Sequence, residues 1–203
     1  MKRILILFAH PRYEQSRINR ALLEAVAPLP GVTLHDLYEA YPDFNVTVAR
    51  EQGLLAAHEI VIWQFPFYLY GAPALLKQWL DLVLEYGWAH GPTGDALQGK
   101  IAFCTVTTGG ARESYAAGSY NGSPLADFLL PLTRTAALCK MTCLPPFAVQ
   151  GTYRLTGPET AGHARRYRAL LERLAGGDVD LRALQRLALL SDDAGQPTGG
   201  PTP

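Results

Sequence analysis

A chain of 203 residues, 48% hydrophobic and 10% aromatic, is large enough to bury one real core, which excludes a disordered chain. Lys+Arg 18 balance Asp+Glu 18, so the overall charge gives no reason to expect nucleic acid or an anionic membrane surface as partner. No run holds the roughly 20 apolar residues of a membrane helix, and no small-residue cleavage site follows the first apolar stretch, so a cytoplasmic protein is expected.

Residues 3–9, Arg-Ile-Leu-Ile-Leu-Phe-Ala, form a continuous apolar run of strand formers, the mark of a central parallel strand covered on both faces. Ile18, Leu22, Leu23 and Val26 then recur at helical spacing. Pro28, Pro30 and Gly31 stop that helix, and residues 32–37 read as a second strand. Residues 38–45, with Pro42 among them, read as a loop, and 48–57 as a helix. Residues 59–65 predict the third strand, ending at Pro66. Pro73 suits the first turn of the next helix, whose stripe is Leu75, Leu76, Trp79, Leu80, Val83 and Leu84. Residues 100–107 predict the fourth strand, closing on Thr108-Gly109-Gly110. The apolar run 125–138, interrupted by Pro131, predicts a helix that is kinked or starts late. Residues 142–149 predict a fifth, Pro-broken strand, and 163–174 a last helix.

Strands alternating with helices predict an α/β fold with a doubly wound parallel sheet and helices on both faces. Five strands fit a flavodoxin-like order better than a six-stranded dinucleotide fold. One domain is expected over residues 1–190, with 191–203, rich in Gly, Pro and Thr, as a flexible tail. Cys104, Cys139 and Cys143 are an odd count without zinc spacing, so reduced packing residues are expected and no metal.

Ligands in such sheets bind outside the carboxyl ends of the strands, which singles out three loops. In the first, His10 to Asn19, Ser16 is a good N-cap, and free N–H groups at a helix start attract phosphate. His10, Arg17 and Asn19 add side-chain donors there, unless Arg17 is simply solvated and His10 packs at the strand end. The second, Phe65 to Pro73, presents Phe67, Tyr68 and Tyr70, which either receive a flat heteroaromatic ring or cover the sheet end or a subunit contact. In the third, Gly109 and Gly110 let a ligand approach the backbone or make a tight turn. Tyr115, Tyr120 and Asn121 follow. Neither GxGxxG nor GxxxxGK[ST] is present, so a dinucleotide fingerprint and a P-loop are both excluded.

Several stretches taken together resemble the NAD(P)H:quinone oxidoreductase family of flavodoxin-like flavoproteins. They are Ile-Leu-Phe-Ala-His10-Pro, Leu37-Tyr-Glu-Ala-Tyr-Pro-Asp-Phe-Asn45, Ile62-Trp-Gln-Phe-Pro66, Pro73-Ala-Leu-Leu-Lys-Gln-Trp79, Gly87-Trp-Ala-His-Gly91 and Thr107-Thr-Gly-Gly110. The bacterial small FMN reductases, including the ancillary quinone reductases of glutathione-gated potassium efflux, are the most similar branch. The resemblance implies that His10, Ser16, Arg17, Ile18 and Asn19 hold the phosphate and ribityl chain of FMN. It places Phe67, Tyr68, Leu69 and Tyr70 under the flavin ring, and Thr107, Thr108, Gly109, Gly110 and Tyr115 at its edge. Gly109, Gly110 and Tyr115 then stabilise charge during reaction. Leu69 stands where the family commonly has Trp, and Asn121 or Tyr120 where it often has His. Trp88 and His90 match aromatic positions that the partner subunit of the family homodimer contributes to the substrate pocket, beside Tyr120 and Asn121.

The resemblance further implies NAD(P)H as transient electron donor and a quinone or similar aromatic acceptor. FMN is preferred over FAD, because the long C-terminal extension of the FAD-binding animal enzymes is missing. Its alternative is a flavin-containing regulatory subunit that docks on a potassium efflux membrane protein, peripheral at the inner face of the membrane.

Overall fold

β1 (Ile4–Phe8), β3 (Ile60–Pro66) and β4 (Ile101–Thr107) are buried at every residue, which is why their sequences read as unbroken apolar runs rather than alternating ones. The structure, a computed structural model, describes residues 1–193. β1 pairs in parallel with β2 (Val32–Asp36) on one side and β3 on the other, and β3 pairs in parallel with β4. The order is β2-β1-β3-β4, and the far edge is built from two short pieces, β5 (Thr142–Cys143) and β6 (Phe147–Val149), both parallel to β4. Ile101 faces Thr142 but Thr105 faces Phe147, so one extra residue is taken up between the two pieces. Pro145 and Pro146 lie in that gap, where neither can donate to the ladder. The fifth strand expected from the sequence is thus one edge line interrupted at its prolines.

Successive strand residues point to opposite faces and divide the core. Ile4, Ile6, Phe8, Ile60, Ile62 and Phe103 pack against α1 (Arg17–Val26) and the long C-terminal helix at Gly157–Gly176. Leu5, Leu7, Val61, Trp63, Phe65 and Cys104 face the opposite layer. That layer holds α3 (Val48–Ala57), α4 (Ala74–Val83) and a helix at Leu130–Leu138.

Four boundaries differ from the sequence reading, each for a local reason. Leu37 opens a short helix, α2 (Leu37–Ala40), because Asp36 Oδ1 accepts from the N–H groups of Tyr38 and Glu39. The apolar run after residue 124 splits into α5 (Leu125–Phe128) and α6 (Leu130–Leu138), with Pro131 in the first turn of α6 instead of at a kink. α7 (Gly157–Gly176) starts six residues early, on a capping box in which Thr156 and Glu159 satisfy each other's backbone N–H. A further short helix, α8 (Leu181–Gln185), was not anticipated.

The first three residues of the segment expected as a tail are held by side-chain contacts. Ser191 Oγ accepts from Ala148 N, Asp192 pairs with both terminal nitrogens of Arg112, and Asp193 pairs with Arg173. The rest of that segment, 194–203, lies outside the described residues. Among the described residues, no helix is long and apolar enough to cross a membrane. Cys104 and Cys139 are buried and Cys143 is half-buried, all three unpaired.

Candidate active site

The carboxyl ends of β1, β3 and β4 open into a cavity of about 1030 Å³, at the upper end of the size of small-molecule sites, roughly 300–1,000 Å³. The three predicted loops line it. They contribute His10, Ser16, Arg17 and Ile18; then Phe67, Tyr68, Leu69 and Tyr70; then Thr107, Gly109, Gly110, Tyr115, Tyr120 and Asn121. Arg12, Gln15, Pro66, Ser114, Thr152 and Tyr153 complete the wall and were not anticipated. Thr152 and Tyr153 come from a fourth loop, after β6. Applying the strand-end rule to the broken edge strand would have found it.

One end of the cavity is suited to an anion. Ser16 caps α1, its Oγ accepting from the backbone and side-chain nitrogens of Asn19. The N–H groups of Arg17 and Ile18 have no partner among the described residues and meet the lining at the positive end of the helix dipole. Arg12 and Arg17 add charge, and among the described residues no carboxylate belongs to the wall. Arg17 Nη2 donates to the carbonyls of Thr152 and Leu155, which fixes the guanidinium against the fourth loop. His10 Nδ1 accepts from Arg12 N at 3.0 Å, so the proton of the neutral ring sits on Nε2. Burial holds the His10 pKa below its ordinary value, against the pull of Glu14. His10 is therefore a neutral donor at neutral pH.

The other end is aromatic. Phe67 meets Tyr70, Tyr115 and Phe128 edge-on, with centroids 6.3, 6.1 and 5.8 Å apart. Gly109 and Gly110 lie close against neighbouring rings. A Cβ on Gly109 would fall 2.5 Å from the ring of Tyr153, and one on Gly110 3.1 Å from that of Tyr115. Their N–H groups have no partner among the described residues. Burial raises the Tyr115 pKa, so its hydroxyl keeps its proton and serves as a donor.

Between these loops the chain makes a two-residue turn. Tyr68 and Gly71 exchange backbone hydrogen bonds while Leu69 (φ +44°) and Tyr70 (φ +66°) are both left-handed. Turns of this type favour Asn-Gly, and a non-glycine residue held there stores about 1–3 kcal/mol. The N–H groups of Leu69 and Tyr70 are also without partners among the described residues. The Leu69 side chain is 96% exposed.

Four predicted residues stand elsewhere. Asn19 is fully buried, its amide shared among Ser16, Thr107 and Gln64, because it continues a polar network inside the sheet and does not reach the cavity. Thr108 is buried beneath the wall, its Oγ1 donating to Gly110 O at 2.7 Å; it shapes the glycine turn. Trp88 and His90 are absent from the wall within their own chain. Trp88 packs on the α4 side of the core, and His90 stands edge-on to Tyr86 and lines a neighbouring cavity.

Residues 2–172 match the family with the flavodoxin-like fold. The ancillary protein KefG of the glutathione-regulated potassium-efflux system of Cronobacter sakazakii is 42% identical over 165 residues, 81% of this chain and 90% of KefG. The structure of an NADPH-quinone reductase from P. pentosaceus superposes with a TM-score of 0.76 at 31% identity, over 85% of this chain and 97% of that one. This chain belongs to the flavodoxin-like NAD(P)H quinone reductase family. Within the reach of this quinone reductase fold, general stress protein 14 from Treponema denticola, in complex with FMN, superposes with a TM-score of 0.79. It is 38% identical and covers 85% of this chain and 99% of its own.

Proposed function

We propose that the protein is a flavin-dependent two-electron reductase that takes hydride from NAD(P)H and delivers it to a quinone or similar aromatic acceptor. The observation that carries this reading is the cavity's polarity: an anion-binding end with Arg12, Arg17 and, among the described residues, no carboxylate, continuous with an aromatic end edged by the Gly109 and Gly110 N–H groups. That pairing fits a flat, phosphorylated ligand, and FMN is the group named in the complex of the similar Treponema protein. FMN held there would supply two-electron hydride chemistry.

The protein's own groups do the binding and the electrostatics. The N–H groups of Arg17 and Ile18, with Arg12 and the Nε2–H of His10, hold the phosphate. The turn at Leu69 and Tyr70 offers two N–H groups to the ring. Gly109 and Gly110 would offer two more, joined by the Tyr115 hydroxyl, and these donors would stabilise negative charge on a bound flavin. Nicotinamide donor and aromatic acceptor would bind the loaded site in turn, a ping-pong scheme. The protein acts as a homodimer in which Trp88 and His90 of each subunit wall the partner's cavity.

Similarity to KefG favours a second role, docking on a membrane potassium efflux system from its cytoplasmic side. The two roles separate experimentally. Purified protein reconstituted with FMN should turn yellow, bleach with NADH or NADPH and recover on adding benzoquinone. A protein that takes up no FMN overturns the cofactor assignment, and a yellow protein that neither nicotinamide bleaches overturns the reductase. Co-purification with the efflux protein of the same cell tests the docking role.

A further inference from the structure

Behind Tyr70 lies a second cavity of about 490 Å³. Tyr70 is the one residue found in the walls of both chambers among those described. Its ring stacks on Phe128 with centroids 5.3 Å apart and planes 25° apart, and its hydroxyl donates to Asn121 Oδ1 at 3.2 Å. Asn121 is in turn fixed by its own N–H to Ser114 O at 3.1 Å. The far chamber is apolar where it is deepest, at Leu80, Leu84 and Leu132, with the Lys77–Asp81 pair at its exposed rim.

We propose that Tyr70, latched to Asn121, is the partition that sets how long a planar acceptor the site admits. With the latch closed, an acceptor is confined to the first chamber. With it released, the chambers join, and the additional rings of a polycyclic acceptor lie against Leu80, Leu84 and Leu132. Three features support a movable partition. The backbone under Tyr70 is left-handed at two successive non-glycine residues, a conformation kept only by the contacts around it. Around the Tyr70 side chain those contacts are one exposed hydrogen bond, the ring stack on Phe128 and an edge contact with Phe67. The ring itself is half exposed, so turning it outward breaks little packing. The inference rests on the reductase reading for the identity of the acceptor, but the partition itself is a property of the empty walls.

The test compares two monosulfonated probes that differ in ring number, 2,5-dihydroxybenzenesulfonate and anthraquinone-2-sulfonate. Their dissociation constants are measured by calorimetry on the full chain, with and without FMN. Tyr70→Ala should improve the three-ring probe relative to the one-ring probe by about tenfold, equivalent to roughly 1.4 kcal/mol. Tyr70→Phe and Asn121→Ala, which remove only the latch, should shift the same ratio by about threefold, the size of one net hydrogen bond. An unchanged ratio in Tyr70→Phe and Asn121→Ala overturns the latch, and so does a wild-type protein that binds neither probe. Tyr70→Phe keeps the ring and its stack, so the result does not depend on Tyr70→Ala folding. Failure of the reductase reading is seen separately, as a yellow wild-type protein that neither NADH nor NADPH bleaches while the probe ratio still responds to the latch.

Discussion

Tyr167 donates from its hydroxyl to Gln64 Oε1 across 3.1 Å, with both side chains fully buried. Gln64 Nε2 donates to Asn19 Oδ1, and Asn19 Nδ2 donates to Ser16 Oγ and Thr107 Oγ1. Thr105 Oγ1 closes the far end on Tyr167. The chain of contacts runs from the middle of α7, through the centre of the sheet, to the cap of α1 at the cavity wall. Burial pushes the Tyr167 pKa far up, so the hydroxyl remains a donor throughout the working pH range.

Tyr167→Phe leaves Gln64 Oε1 buried without a donor, which costs about 1–3 kcal/mol. Urea unfolding should show a lower midpoint with an unchanged slope. The same substitution loosens Asn19 and hence Ser16, so FMN should dissociate more readily while the colour of the bound cofactor stays as in the wild type. A variant as stable as the wild type would contradict the network.

Glu51 carries the second buried polar cluster, on the opposite face of the sheet. Its carboxylate accepts from His35 Nε2 at 2.9 Å, Tyr41 Oη at 2.5 Å and Trp79 Nε1 at 2.8 Å. Burial alone raises the pKa of this carboxyl, but the three donors together outweigh it and hold the pKa below the ordinary 4.5. A carboxyl with a lowered folded pKa adds stability that is complete above about 4.5 and is lost as pH falls through the folded value. Glu51→Gln points an amide N–H at donors and should cost about 3 kcal/mol or more at pH 7. The gap between variant and wild type should narrow below pH 4.5. An equal gap at pH 7 and pH 3.5 would show that the carboxylate charge has no part in it.

Much of this arrangement was legible in the residues, and the parts that were not share a cause. Apolar runs identify β1, β3 and β4 because buried parallel strands leave no alternation to misread. The strand ends then locate the cavity, since His10, Phe67 and Gly109 follow their strands directly. Asn19 was read as a ligand donor because sequence gives its position near the helix start but not the face of α1 on which it falls. It lies on the same side as Leu22, Leu23 and Val26, toward the sheet. Gln64 and Thr105 were hidden inside apolar strands, where a single polar residue does not disturb the pattern. Tyr153 was missed because two prolines masked the end of the fifth strand. Its contact with Gly109 joins residues far apart in sequence, through a surface no local pattern reports.

That contact gives the third prediction. Gly109→Ala places a methyl group 2.5 Å from the Tyr153 ring, closer than any real contact, so the ring must move off the turn. Tyr153 is 89% exposed, and it can move without unfolding the protein. Stability should therefore change by less than about 1 kcal/mol, within the range of surface substitutions and small repacking. FMN binding should weaken by about tenfold or more, since the displaced ring and the added methyl group both crowd the cavity edge. Tyr153→Ala added to Gly109→Ala should restore part of the loss. Flavin titration of the two variants side by side decides it; if the double variant binds no better than the single one, the ring is not the obstacle.

The turn at Leu69 and Tyr70 gives the last. Leu69 holds a left-handed backbone with its side chain 96% exposed, so the strain is not offset by burial at that residue. Asn tolerates this conformation better than any other residue except glycine. Leu69→Asn should therefore stabilise the protein by about 0.5–1 kcal/mol, which for a chain of this size raises Tm by roughly 1–4 °C. Leu69→Val, β-branched and worse suited to positive φ, should lower it. Both effects should appear in the flavin-free protein, because they arise in the backbone. If Leu69→Asn and Leu69→Val shift Tm by the same amount, the strain assigned to the turn is not a property of its left-handed conformation.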